Sequence, residues 1–226
     1  MRSLLHMPLD PASRLIRIIL AEKGLTVRLV PIAPGDETGD LATHNPASTV
    51  PVLIDEAPSG EELSMSPPYA IAEYLEEVYG APFLFPATSA GRAETRRLMA
   101  WFCDKFEREV IVPTLRLKVD QSRLGRHQFD EQDAEKSAEA MCWHLDYISW
   151  LLEKRNWLAG SSFSVADIAG AAHFSSVDYL GIVPWQDFPS VKEWYTRIKS
   201  RPSFQPLLAD RVDGLPPPPH YANLDY

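Results

Sequence analysis

Trp157-Leu158-Ala159-Gly160-Ser161-Ser162-Phe163-Ser164-Val165-Ala166-Asp167-Ile168 is the stretch on which the fold of this chain turns. Ser164 precedes a largely apolar run and Asp167 follows three places later, the spacing at which a serine caps a helix and an acid reaches back to the serine amide. Phe163 and Ile168 flank the start, where two apolar side chains touch across it and fix the approach of the chain. The residues alone predict that a buried helix begins here.

Working outward, the surrounding sequence is helical in pattern. Val191 to Lys199 predicts a further helix, stopped near Pro202. Upstream, Leu98, Trp101, Phe102, Phe106 and Val110 form one apolar stripe, and Ala134, Ala138, Met141, Leu145, Ile148 and Leu152 form another with steps of three and four. Both are expected to be core. Pro113 is expected to bend the first of these helices, because it lacks a backbone donor and crowds the preceding turn.

The first eighty residues have a different rhythm. Ser3 to Met7 and Val27 to Ile32 are short and apolar, and between them Pro11 to Lys23 carries Leu15, Ile16, Ile19 and Leu20 at helical spacing and stops at Gly24. After a polar loop, Val52 to Ile54 and Glu62 to Met65 predict two strands joined by Pro58-Ser59-Gly60, and a helix from about Tyr69 to Tyr79 follows. The order βαβ then ββα predicts a small mixed sheet with helices packed on it, a thioredoxin-like arrangement. The expected class is α+β, with an N-terminal thioredoxin-like domain at 1–80, a linker at 81–90 containing Pro82 and Pro86, an all-helical domain at 91–208, and a proline-rich tail at 209–226.

Composition narrows the function. The 226 residues, 45% hydrophobic and 23% charged, suffice for two modest domains, and a net charge of −9 disfavours nucleic acid or an acidic membrane surface as partner. With no apolar run long enough to span a bilayer and no leader-like start, a cytoplasmic protein without membrane insertion is expected. Cys103 and Cys142 lack metal-like spacing and are expected to be reduced, partly buried thiols. His6, His44, His127, His144, His173 and His220 are scattered without a carboxylate or nucleophile at useful spacing, so no metal and no catalytic residue is expected from them.

The capping-box stretch resembles the one that opens the central buried helix of glutathione transferases. Asn45-Pro46-Ala47-Ser48-Thr49-Val50-Pro51-Val52-Leu53 resembles the loop before the third strand of that family, in which the proline matching Pro51 follows a cis peptide and the residue matching Val50 turns its backbone toward glutathione. Arg17 to Leu25, and Phe188 to Tyr195 through Arg201-Pro202, are similar to the family as well, so the resemblance spans roughly residues 1–208.

The resemblance implies two glutathione subsites, and the residues at both are chemically wrong. The catalytic hydroxyl or thiol of the serine and cysteine types stands just before a proline at the start of the first helix. Laid on Pro11 and Ile16-Arg17, that place holds Asp10, a carboxylate that repels a developing thiolate and is otherwise explained as an N-cap before a proline at the first helical position. Ser13, one turn further in, restores the chemistry only if the helix start shifts. The acid and serine that grip the γ-glutamyl end fall on Pro67 and Pro68, which offer neither a side-chain acceptor nor an N–H. A two-residue insertion would leave Ser66 as a donor, still without its acidic companion. Glutathione is therefore not expected to bind well, and no cofactor is expected. A pseudo-transferase is predicted, the alternative being an active transferase using Ser13 or Asp10. Arg14 and Arg17 are read as facing solvent or a neighbouring acidic helix, without a catalytic role.

After Leu208 the text ends in Pro216-Pro217-Pro218-Pro219-His220-Tyr221-Ala222-Asn223-Leu224-Asp225-Tyr226. Four prolines favour an extended polyproline rod. Tyr221, Leu224 and Tyr226 either dock on their own domain or, with Asp225, form a short motif for a partner. A glutathione-transferase-like chain with such a tail resembles the FzlA family of alphaproteobacterial division proteins. That resemblance implies a homodimer that binds and bundles curved filaments of the tubulin-like GTPase FtsZ at the midcell division site. It also implies partner-binding by Leu224 and Asp225, with Tyr221 and Tyr226 as anchors. The basic run Arg116, Lys118, Arg123 and Arg126 is ranked below the tail as a surface for an acidic filament.

Overall fold

The computed structural model describes residues 2–33, 39–56, 59–115 and 131–224. Its N-terminal half is a four-stranded sheet in the order β2-β1-β3-β4, built from β1 (Ser3–His6), β2 (Arg28–Pro31), β3 (Val52–Glu56) and β4 (Glu62–Met65). β1 and β2 are parallel and need a crossover, which α1 (Pro11–Glu22) supplies, while β3 runs antiparallel to both β1 and β4. Alternate strand residues serve two cores. Leu4 and Leu53 join Leu15, Ile19, Ile71 and Leu75 under α1 and α3 (Pro68–Tyr79), whereas Leu5 and Val52 point to the other face and meet Leu41. Leu41 lies on α2 (Asp40–His44), a short helix inside the segment read from sequence as a polar loop. One apolar residue among polar neighbours gives no period to detect, yet the second sheet face requires a cover.

α1 ends as its sequence dictates. Gly24 has φ +65°, Gly24 N–H donates to Ala21 O and Leu25 N–H to Leu20 O, which together satisfy the last carbonyls. The preceding Lys23 turns inward. Its Nζ donates to Glu76 Oε2 (3.0 Å) and to the carbonyls of Gly80 (2.7 Å) and Pro82 (3.0 Å), and Glu76 accepts the amides of Leu84 (3.0 Å) and Phe85 (3.1 Å). The proline-rich connection is thus pinned to the first domain by one buried ion pair.

The helical half comprises α4 (Ser89–Ala100) continuing as a π-helical stretch (Trp101–Ile111), α5 (Glu131–Leu152), α6 (Val165–Tyr179), α7 (Pro189–Lys199) and α8 (Gln205–Leu208). Pro113 does not break the helix. Val112 N–H reaches five residues back to Glu107 O, and the widened turns before Pro113 relieve the crowding its ring imposes. On α5 the buried face carries Ser137, Met141, His144, Leu145, Ile148 and Leu151, so Ala138, expected inside, is exposed. Ser137 takes the inward position because its hydroxyl is satisfied by Thr114 Oγ1 (3.0 Å) and Val110 O (3.4 Å).

α6 is buried on every side and packs most extensively on α1, joining the two halves. The expected capping box forms. Asp167 accepts Ser164 N–H (3.0 Å), and it also takes the Leu158 amide (2.8 Å) and Trp194 Nε1 (3.0 Å), tying α6 to the preceding loop and to α7. Burial pushes Asp167 up to about 6 against these donors.

Candidate functional site

Asp10 is the N-cap of α1, with Pro11 in the first turn, and its Oδ2 accepts Ser13 N–H at 2.6 Å. Ser13 is fully buried and its Oγ accepts the Met7 amide at 3.3 Å, so the hydroxyl faces the protein's own backbone. Burial pushes Asp10 up to about 6, opposed by its bonds to Ser13 and by Arg14. Around it the π-helical stretch adds more acid. Glu107 is pushed up to about 8 by burial and then by Asp10, and burial with Glu107 and Asp104 drives the Cys103 thiol well above its ordinary range. Burial with Cys103 and Asp104 does the same to the Tyr69 hydroxyl. A thiolate gains from positive potential, and these surroundings supply the opposite.

The second subsite is equally bare. Val50-Pro51 is cis, as the loop's resemblance implied, and Ser66-Pro67 is cis as well. Pro67 caps α3 without a side-chain bond and Pro68 is its first residue, so neither offers an N–H, and the Ala70 and Ile71 amides both donate to Pro67 O (3.0 and 3.3 Å). Ser66 is half-buried, and the residue beside it on the β4 side is Met65.

Two histidines face carboxylates through space rather than along the chain. His144 Nδ1 accepts Trp101 Nε1 (3.1 Å) and its Nε2 faces Glu109 (3.1 Å); His173 Nδ1 faces the Ala169 carbonyl (2.7 Å) and its Nε2 faces Glu107 (3.5 Å). Burial holds both imidazoles down to about 4.

The tail is docked. Val212 and Leu215 bridge around Gly214, and Pro219–Ala222 forms a single 3-10 turn that delivers Tyr221 into the protein. Tyr221 is 0% exposed, edge-on to Tyr179 (5.1 Å), with Leu9, Leu180, Leu208, Val212 and Leu215 around the pair. Its hydroxyl accepts from Arg14 Nη1 at 3.0 Å. Of the two alternatives for Tyr221, docking on its own domain or anchoring a partner, the buried ring takes the first. For Arg14 and Arg17 the solvent alternative falls and the acidic neighbour, Asp210, remains. Arg14 is 0% exposed and bonds Pro8 O, Ser175 Oγ, Tyr221 and Asp210, while Arg17 forms a fork with Asp210 (2.8 and 2.9 Å). Leu224 is half-buried; Asp225 and Tyr226, and Arg116, Lys118, Arg123 and Arg126, lie outside the described residues.

Sequence reading missed an outward aromatic row. Trp143 (51% exposed), Tyr147 and Trp150 (52% exposed) stack along α5, Trp101 joins them, and Lys105, Arg97 and Lys154 lie over the rings. The spacing of four and three was visible, on the face opposite the apolar stripe. Cys142, expected partly buried, is exposed beside this row. Among the described residues no helix is long and apolar enough to cross a membrane.

Two family models match the chain: "Glutathione S-transferase, N-terminal domain" over residues 4–83 and "Glutathione S-transferase, C-terminal domain" over residues 111–202. The chain is 42% identical over 225 residues to FtsZ-localized protein A of Caulobacter vibrioides, covering 100% of this chain and 98% of the relative. A solved structure of FzlA from C. crescentus matches with a TM-score of 0.94 and 42% identity over 100% of this chain and 99% of the other. A crystal structure of a glutathione S-transferase from Rhodospirillum rubrum F11 matches with a TM-score of 0.92 and 44% identity over 100% of both chains.

Proposed function

The chain belongs to the glutathione S-transferase family, and we propose that within it this protein is a non-catalytic, cytoplasmic binder of FtsZ filaments. The observation that carries the reading is the end-to-end match to FtsZ-localized protein A, which extends through the tail beyond the family's two domains. The cleft supports the non-catalytic half. Asp10 spends its carboxylate on the helix amide, Ser13 faces inward, and Pro67 and Pro68 supply neither the acid nor the serine expected at the γ-glutamyl end.

In this reading the protein works as a homodimer at the midcell division site. It binds filaments through Leu224 and Asp225, with Tyr226 beside them and the basic run as a lesser contact. Two copies of one binding tail cross-link neighbouring filaments, which gives bundling, and holding them in curved form favours constriction. Co-sedimentation with GTP-assembled FtsZ tests it. The full chain is expected in the pellet, and Asp225→Lys in the supernatant with an unchanged melting curve. Normal pelleting of Asp225→Lys rejects the tail as the contact.

The match to the Rhodospirillum rubrum glutathione S-transferase favours a second reading, a transferase using Ser13 or Asp10. Retention on a glutathione resin together with conjugating activity that vanishes in Ser13→Ala or Asp10→Ala would support it.

A further inference from the structure

Arg14 is an arginine without solvent, set in the first turn of the N-terminal helix and shared among three elements distant in sequence. Its Nε donates to Pro8 O (2.7 Å), Nη1 to Ser175 Oγ on α6 (2.8 Å) and to the Tyr221 hydroxyl (3.0 Å), and Nη2 to Asp210 (3.3 Å). A buried guanidinium needs its charge matched and its donors filled. Asp210 matches the charge while also holding Arg17, and Tyr221 supplies an acceptor that only the tail can bring.

The tail is fastened independently at a second point. Tyr179 Oη donates to Leu215 O (2.7 Å) and accepts the Val212 amide (3.1 Å), which fixes the turn before the prolines. Between the two points Pro218 crosses Gly181, at φ +69°, where a Cβ would stand 3.3 Å from the proline ring. The four prolines therefore do not lift the tail away; they run along the protein between two tyrosine anchors. Tyr221 is the last fully buried side chain among the described residues, three positions before Leu224.

We propose that Arg14 and Tyr221 are positioning residues for partner binding: they fasten the tail so that the chain reaches Leu224 at one fixed place. This rests on the tail being the FtsZ contact. A peptide held at its root gives up less freedom on binding than a free one, and in a dimer it sets the angle between the two filament contacts. A tail fastened at Tyr221 thus presents its root to a filament surface that a swinging tail would meet only part of the time.

The test uses the full-length protein and GTP-assembled FtsZ, with amide hydrogen exchange reporting docking at Val212, Leu215 and Tyr221. Tyr221→Phe keeps the ring against Tyr179 and loses the bond to Arg14. Tyr179→Phe loses the other fastening without touching Arg14. Tyr221→Ala loses ring and bond together. Docking and filament affinity are expected to fall in step, with a loss of about tenfold in affinity for Tyr221→Ala and less for the two phenylalanine variants, while α6 amides stay protected. A chain ending at Asn223 separates the premises, because it removes the contact and leaves the fastening. If that truncation binds normally, the tail reading itself fails. If truncation abolishes binding but Tyr221→Ala, with exposed tail amides, binds as well as or better than the wild type, the positioning role is overturned. Tail amides that remain protected in Tyr221→Ala overturn it too.

Discussion

The imidazole of His173 turns its Nε2, which has no hydrogen-bond partner, toward the carboxyl of Glu107 3.5 Å away, and either group could take a proton there. His173 Nδ1 lies 2.7 Å from the Ala169 carbonyl and carries the ring hydrogen, which leaves a lone pair on Nε2, and burial holds the ring neutral down to about 4. The proton belongs to Glu107, pushed up to about 8.

Stability should therefore fall as pH rises from about 4.5 to about 8. Glu107 keeps its proton in the folded chain to about pH 8, whereas the unfolded chain releases it near 4.5, so stability falls as pH rises through that window. His173 acts in the opposite sense, its contribution being lost as pH falls from 6.5 toward about 4. Asp10 and Asp167, both raised to about 6, share the sign of Glu107 but have finished titrating near that pH. Glu107 is 29% exposed, which discounts the effect, and a drop of about 2–5 °C in melting temperature between pH 6.5 and 8 is expected. Glu107→Gln, whose amide donates to Nε2 without titrating, should flatten the profile. A slope unchanged in the variant assigns the effect elsewhere.

Asp167 accepts four donors: the Ser164 amide and hydroxyl, the Leu158 amide and the Trp194 indole. Asp167→Ala should cost about 3–5 kcal/mol in urea unfolding, and Asp167→Asn, with one acceptor left, about 1–3 kcal/mol. A loss below about 1 kcal/mol for the alanine variant would mean that the loop rearranges to satisfy itself.

The legible parts of this molecule are those that local chemistry specifies. The Ser164 to Asp167 spacing announced the start of α6, Gly24 the end of α1, and the short apolar runs at Ser3 to Met7 and Val52 to Ile54 the strands of the sheet. Asp10 beside Pro11 could be assigned as a cap because capping involves residues three apart. The tail could not be placed that way. Arg14 meets Tyr221 across 207 positions, and nothing local separates an arginine bound for solvent from one that will be buried with a distant hydroxyl. The histidine pairs and the inward turn of Ser137 depend on helix neighbours in the same manner.

Glu76 predicts an asymmetry between single and double substitutions. Alone, Glu76→Ala strands the Lys23 ammonium and the Leu84 and Phe85 amides, and should cost about 3–5 kcal/mol. Removing the charge pair with Lys23→Met and Glu76→Leu should recover part of this, because the buried cation is gone. It should not recover all of it, because the two amides still lack an acceptor. Full recovery in thermal melts would show that the connection is held by packing alone.

The cleft makes the sharpest prediction about ligands, because its two defects are separable by mutation. Asp10→Ser keeps a good helix cap, so stability should change by less than about 1 kcal/mol, while the carboxylate that lifts Glu107 disappears. The wild type should show no thermal shift with millimolar glutathione, and neither should Asp10→Ser, since Pro67 and Pro68 still offer no donors to the γ-glutamyl end. Adding Pro67→Glu and Pro68→Ser to Asp10→Ser restores both chemistries, and glutathione at ten times its dissociation constant would then stabilise the fold by about 1.4 kcal/mol, or about 3–6 °C. Binding by Asp10→Ser alone would show that the charge at the helix start, and not the proline pair, is what keeps glutathione out.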